Sequence, residues 1–356
     1  MCASTGGDDA YMYGSRVVIV DVRSSTVIKM KTMLVEALGS VEDLTLVEME
    51  SPALIDGHIR IEILACGLNY VDALMIEGKY QIKPPVPYRP GSEVVGRVTE
   101  VASDVTRVKV GDRVFAPVGN GGFSNEAVVA ESRVLALPDN ITDGQGATFM
   151  QSYLTAWFAF NYRASIVEGD TMLVLGAGGG VGLAGVDLAV SMGVKVIAAA
   201  STEEKRQLAL SRGAFAAIDV STEDVKARAR ELADGRLDLV YDPVGGDLAA
   251  QCLRALAPGG QYMVVGFVAG IPQLPANHVL LTNRTVVGVD WGAWMLRNQV
   301  DNAKMLVEVM GEMAKGKLHP VEPVTYPMSQ AAQALKDMQN RKIAGKVALV
   351  PDFDGV

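Results

Sequence analysis

The residues with the plainest chemistry are the glycines of the run LGAGGGVG at 175–182. The run follows a short apolar stretch and opens a longer one of helical character, the strand–turn–helix setting that a dinucleotide-binding loop requires. Gly179, lacking a side chain, lets backbone amides approach a pyrophosphate, and Gly182 lets helix pack closely on strand. The helix start adds unpaired N–H donors and partial positive charge. Ala177, Gly179, Gly180 and Val181 are therefore candidate cofactor contacts. The competing reading is a purely structural glycine turn, and the strand–helix alternation downstream weighs against it.

The end of the next strand bears on which dinucleotide is bound. A site specific for NAD places an acid there to hold the ribose hydroxyls. The run VKVIAAAST at 194–202 contains no acid; Ser201 and Thr202 supply hydroxyls, and Lys205 lies one turn into the following helix. Two unit charges 4 Å apart interact by about 1–4 kcal/mol between watery and surface dielectric. An ammonium in place of a repelling carboxylate therefore favours a 2′-phosphate, and so NADPH over NADH. Glu203 and Glu204, beside Lys205, keep open the plainer reading of a solvated helix face.

The elements that must position these residues follow from periodicity. From residue 33 to about 137 the chain reads as short strands, among them 59–63, 94–98 and 113–115, separated by Gly and Pro. A helix is expected over 148–161. Strands at 172–175, 195–199, 216–218, 237–241 and 261–265 then alternate with helices at 180–192, 203–212, 223–233 and 247–256. The strands are short, continuous apolar runs, as expected when both faces of a sheet are covered, and the alternation implies a doubly wound parallel sheet. A β-rich run over 286–291 closes this part. A helix over 302–314, a helix over 329–338 with Ser329 as N-cap, and a strand at 347–350 complete the pattern. The tail is expected to fold back on the first part, so that a β unit is split around an inserted nucleotide domain.

Composition sets the outer limits. The chain has 356 residues, 49% hydrophobic and 21% charged, with a net charge of −9. That size suggests two domains, and the acidic balance argues against nucleic acid as a partner. No apolar run is long enough to span a membrane. Three cysteines, Cys2, Cys66 and Cys252, are too few and too far apart for a metal clip or a disulfide framework. Residues 1–30 lack both the cationic start and the apolar middle of a secretory signal, and Asp8, Asp9 and Asp21 are unlike a mitochondrial presequence. They read as a disordered extension, and a cytoplasmic location follows, with organelle targeting by this extension as the alternative reading.

Several ordered motifs now carry a resemblance. CGLNYVD (66–72), EGKY (77–80), PGSEVVG (90–96), VGDRV (110–114), LGAGGGVG, YDPVGGD (241–247), VVGFVAG (264–270) and AGKVAL (344–349) resemble the quinone oxidoreductase, zeta-crystallin-like branch of the medium-chain dehydrogenase/reductase superfamily. The resemblance covers about residues 33–351. It implies a Rossmann domain, here 156–299, inserted in a GroES-like β-rich catalytic domain, here 31–155 and 300–356. It also implies NADPH as cofactor, a small conjugated acceptor such as a quinone or enone, and a homodimer built on the edge strand near Trp291 and Trp294.

Alcohol dehydrogenases of that superfamily hold a catalytic zinc, and the matching positions here are Asn69, Ser92 and Gln151. Neutral amides and a hydroxyl lack the charge and basicity that zinc sites use, so a zinc-independent enzyme is expected. Without a Lewis acid the acceptor must already be electron-poor through conjugation. Hydride transfer to a quinone is the leading expectation. Reduction of an enone or enoyl-thioester is the alternative, and nucleotide binding without catalysis a third class.

By resemblance, Asn69 contacts the nicotinamide end, and Tyr80 matches a tyrosine that related enoyl-thioester reductases use as proton donor. An aromatic lid is the equal alternative for Tyr80. Gln151 and Thr155 match positions near the nicotinamide; Val244, Phe267 and Val268 follow strand ends where parallel sheets bind ligands. Lys346 matches a family lysine that reaches the cofactor or merely begins a strand. Asp72 and Glu93 read as structural carboxylates. Family members carry a tyrosine after the third parallel strand, where this chain has Asp219 and Val220.

Overall fold

The computed structural model describes residues 28–353. Six strands form one parallel sheet, in the spatial order Ala216–Asp219, Lys195–Ala200, Thr171–Leu175, Leu239–Asp242, Gln261–Val264, Thr285–Gly288. The middle strands are apolar throughout because helices cover both faces: Met172, Leu173, Val174 and Val240 are fully buried. The chain builds outward from Thr171–Leu175 in one direction, then returns and builds in the other. That reversal leaves a crevice at the carboxyl ends of Thr171–Leu175 and Leu239–Asp242, where such sheets bind ligands.

A second sheet is antiparallel but for one pairing. Its order is Val324–Pro327, Val347–Val350, His58–Leu68, Glu93–Val101, Arg113–Pro117, Leu135–Ala136, with Glu126–Ala130 also paired to His58–Leu68. Val324–Pro327 and Val347–Val350, both from the tail, run parallel to each other. Val347 pairs with Leu68 and Leu349 with Cys66, so the tail closes onto the first part of the chain. The β-rich unit is therefore split in sequence around the parallel sheet, and the expected GroES-like and Rossmann arrangement is the one observed.

The two sheets share a core. Helix Met150–Phe158 lies at their junction, and Phe149, Tyr153 and Leu154 pack with Phe115 of one sheet and Met172 and Val174 of the other. Helix Gln299–Ala314 sends Met305, Val309 and Met313 into the same core. Because that core belongs to both sheets it sets no boundary between them, and we propose the boundaries near 155 and 300.

Three local expectations differ from the structure. The helix over 148–161 is present as Met150–Phe158, continued by a wider helical turn, Ala159–Arg163, but a separate short capped helix, Asp143–Thr148, and a break at Phe149 precede it. Thr142 and Gln145 form a reciprocal cap, each accepting the other's backbone N–H at 3.1 Å, which starts a helix earlier than periodicity implies. The β-rich run over 286–291 ends at Gly288, because the Asp290 carboxylate accepts from Ala293 N–H and starts helix Trp291–Arg297. Ser329 is not an N-cap: its N–H and hydroxyl both donate to Asp352, and the helix begins at Ala331. The expectation for residues 1–30 lies outside the described residues, except that Lys29 begins a strand paired with Thr45–Glu50.

Candidate active site

A cleft of about 2220 Å³ runs between the two sheets, and the carboxyl ends of the central parallel strands open into it. On its nucleotide side, helix Gly180–Ser191 begins at Gly179 with no side-chain cap, which leaves its first amides available to a ligand. The loop is shaped for absent side chains. A Cβ on Gly178 would stand 2.3 Å from Lys205 Cβ, and one on Gly182 would stand 2.2 Å from the Gly176 carbonyl oxygen. Gly179, Gly180 and Val181 line the cleft, as do Ser201, Lys205, Val244, Phe267 and Val268. Phe267 and Val268 are 49% and 41% exposed, apolar walls with no protein cover.

Two of the residues read from the sequence do not reach this wall. Ala177 is fully buried, its N–H donating to Ala199, and the Thr202 hydroxyl caps the next helix by accepting from Lys205 N–H. The cation at Lys205 has company that the sequence does not reveal. Its ammonium donates to the Arg341 carbonyl at 2.7 Å, and the Arg341 guanidinium donates to the Val268 carbonyl at 3.3 Å. Partial burial lowers the Lys205 pKa, offset by Glu204 and reinforced by Arg341. Arg341 also lines the cleft, so two cations 136 positions apart in the chain stand together at its nucleotide side. At the position where the resemblance leads one to expect a tyrosine, Asp219 pairs with Arg206 at 3.0 Å.

The other side of the cleft is built around Asn69. Its backbone N–H donates to Asp72 at 2.7 Å, which fixes the start of helix Tyr70–Ile76. Its side-chain N–H donates to Glu93 at 2.8 Å, and its side-chain oxygen accepts from the Lys346 ammonium at 2.6 Å. Glu93 also accepts from Gln151 N–H at 3.4 Å. All of these groups are buried: Asp72 and Glu93 completely, Asn69 and Lys346 at 4% and 9% exposed. Burial pushes the Glu93 carboxyl up against the opposing pull of Lys346 and Asn69, and burial likewise lowers the Lys346 ammonium. Gln151 and Thr155 line the cleft beside this group, with the Thr155 hydroxyl donating to the Gln151 carbonyl at 2.7 Å.

Tyr80 and Tyr70 complete that wall. A Cβ on Gly292 would lie 3.3 Å from the Tyr80 hydroxyl, so the phenol reaches across to helix Trp291–Arg297. Burial, and then the charge of Asp290, raise its pKa, which keeps the O–H protonated at neutral pH.

The three positions that hold zinc in metal-dependent relatives do not suit the ion here. Asn69 is already bracketed by a carboxylate and an ammonium, and the ammonium would repel a dication at the same oxygen. Ser92 is a neutral hydroxyl whose buried oxygen has no hydrogen-bond partner, and Gln151 is a neutral amide. Among the described residues no group of three or more His, Cys, Asp or Glu is placed to hold a metal.

A two-lobed cleft with a glycine loop on one wall is the architecture of the medium-chain dehydrogenase/reductase superfamily. Residues 55–139 match the family described as alcohol dehydrogenase GroES-like domain, and 180–308 match the one described as zinc-binding dehydrogenase. The chain is 37% identical to a quinone oxidoreductase-like protein 2 homolog of Nematostella vectensis, over 82% of this chain and 81% of that protein. It is 34% identical to quinone oxidoreductase-like protein 2 of Bos taurus, over 85% of this chain and 88% of that one. Among solved structures, the quinone oxidoreductase of Thermus thermophilus, described also in complex with NADPH, superposes with a TM-score of 0.76 at 31% identity, covering 90% of this chain and 99% of that one. The chain belongs to the zinc-independent quinone oxidoreductase family.

The sequence pointed to most of this cleft through its motifs. It missed Arg341, which no motif marks, and it gave Glu93 only a structural role. The one signal for Arg341 is its place five residues before Lys346 in RKIAGK.

Proposed function

We propose that this protein is an NADPH-dependent oxidoreductase that reduces a quinone, or a similarly conjugated small acceptor, without a metal. The observation that carries the reading is the pairing of Lys205 with Arg341 on one side of the cleft and the Asn69–Glu93–Lys346 group on the other. Two cations beside Ser201 suit a 2′-phosphate, and each charge-assisted hydrogen bond of that kind is worth about 1.5–3 kcal/mol. The uncapped amides at Gly180 and Val181 suit the pyrophosphate, and Val244, Phe267 and Val268 suit the apolar faces of ribose and ring.

When bound, NADPH supplies a hydride, that is, two electrons and one proton. A quinone that accepts it needs one further proton to become the quinol. The Tyr80 hydroxyl holds such a proton at the cleft wall, with solvent as the second source, so we assign it assistance rather than necessity. Asn69 orients the reacting end, and the site leaves electrophilicity to the acceptor. We further propose a homodimer joined at the edge strand Thr285–Gly288. We place the protein in the cytoplasm, in keeping with Cys66 and Cys252 as free buried thiols; among the described residues no helix is long and apolar enough to cross a membrane.

The test is turnover of ortho-quinones, para-quinones, enones and enoyl-thioesters with NADPH and NADH in chelator-treated buffer. Quinone reduction that prefers NADPH is expected, with Lys205→Ala and Arg341→Ala each raising KM for NADPH about tenfold while leaving NADH kinetics in place. Fast enoyl-thioester reduction with every quinone inert moves the protein to the alternative class. Tight NADPH binding with no acceptor reduced moves it to a non-catalytic one.

A further inference from the structure

Asn69 is held from both sides, and that arrangement has more in it than burial alone. A primary amide has two N–H donors and an oxygen with two lone pairs. Here Glu93 takes one donor and Lys346 fills one lone pair of the oxygen, which leaves one N–H for a ligand. Reversing the amide would turn its NH₂ toward the Lys346 ammonium and its oxygen toward the Glu93 carboxylate. Both new contacts would be repulsive, in a site where little water can relieve them.

Lys346 also joins the two walls of the cleft. Gly345 N–H donates to the Gly178 carbonyl at 2.8 Å, and Gly345 bridges Gly179 in parallel register. The Lys346 stem then crosses Gly180 so closely that a Cβ there would lie 2.4 Å from Lys346 Cδ. The absence of a side chain at Gly180 therefore serves the lysine as well as any phosphate. Through this one side chain the start of the nucleotide helix is in register with Asn69.

We propose that Glu93 and Lys346 are positioning residues, a two-sided clamp that holds the Asn69 amide in a single orientation and so presents one fixed donor at the cleft. The proposal rests on the reading of this cleft as the hydride-transfer site. An ammonium on the amide oxygen draws electron density from the nitrogen, while the carboxylate accepting from the other N–H returns some of it, so what the clamp gives the remaining N–H is a fixed direction. A fixed donor is most useful where negative charge develops on an acceptor oxygen. The clamp thus supplies an oriented neutral donor, with no net charge of its own.

The test is a double-mutant cycle with Lys346→Met and Glu93→Gln, reading kcat, the dissociation constant for NADPH and thermal stability. Lys346→Met is expected to cut kcat at least tenfold, with less than a threefold change in NADPH affinity, and to lower Tm by leaving Glu93 unpaired. In the double variant the unpaired charge is gone, so Tm is expected to recover while kcat stays low, because the amide is free to turn over. Return of kcat together with Tm would reduce the pair to structural charge balance and overturn the clamp. So would a loss of NADPH affinity equal to the loss of kcat, which makes Lys346 a cofactor anchor, and so would an unchanged kcat in Lys346→Met.

A wild-type protein that turns over no acceptor defeats the functional reading instead. The clamp is then decided on the NADPH-free protein by exchange of the Asn69 side-chain amide hydrogens, followed by NMR. Strong protection in the wild type that is lost in Lys346→Met supports it, and equal exchange in both overturns it.

Discussion

Asp72 is fully buried, and one of its carboxyl oxygens has no hydrogen-bond partner while the other holds Asn69 N–H. Burial is the largest influence on it, opposed by that N–H and by Lys346 and reinforced by Glu93, and it raises the pKa to about 7. The folded protein therefore keeps a proton that the unfolded chain releases near the ordinary carboxyl value. Stability from this group is full below that value and falls as pH rises toward 7. Asp72→Asn keeps an acceptor for Asn69 N–H and cannot ionise. Its Tm relative to wild type is expected to rise between about pH 4 and pH 7, by the equivalent of on the order of 2–4 kcal/mol. Thermal melts of both proteins across that range check it, and a pH-independent difference would show that Asp72 carries no burial penalty. At this scale the sequence was informative where a motif fixed the local geometry, as at Asn69 and Gly179. It was blind to Arg341, because only the folded tail brings that residue's carbonyl to the Lys205 ammonium, 136 positions away.

At the scale of elements, the parallel strands were legible because buried strands are continuous apolar runs, and the five expected over 172–265 differ from the observed ones by at most two residues at either end. Helix starts were less so. Ser329 was available to Asp352, and Asp290 was available to Ala293, and neither choice shows in periodicity. The glycines divide on the same physical ground, according to what surrounds them. At Gly182 a Cβ would meet Gly176 backbone at 2.2 and 2.7 Å, where no side chain can yield. Gly182→Ala is expected to cost about 1–3 kcal/mol or more through overpacking of helix on loop. Gly311 lies inside helix Gln299–Ala314 with no atom near its would-be Cβ. Gly311→Ala is expected to stabilise by about 0.5–1 kcal/mol through helix propensity. Denaturant titrations of the pair give the comparison; equal and opposite signs to these would mean that the loop, not the helix, is the adaptable element.

At the scale of the whole molecule, the legible feature was the split of one β unit around another, because the periodicity changes twice along the chain. The assembly is a separate question, and its physical root is the edge of the parallel sheet. Thr285–Gly288 pairs with Gln261–Val264 on one side, and among the described residues no strand covers the other. An uncovered edge invites another chain, and this one carries none of the usual deterrents: its sequence is TVVG, without charge or proline. Val286 is 38% exposed there, and Leu280 and Leu281, just upstream, are 77% and 76% exposed. Two copies related by a two-fold axis would pair these edges antiparallel, extend both sheets into one and cover the leucines, an isologous contact that closes on itself. Light scattering on the purified protein is therefore expected to give twice the 37.7 kDa chain mass. Val286→Lys adds an ammonium to each copy of the edge and is expected to yield monomers, with the NADPH site intact because Val286 does not line the cleft. A monomeric wild type, or a dimer untouched by the lysine, would move the interface away from this edge.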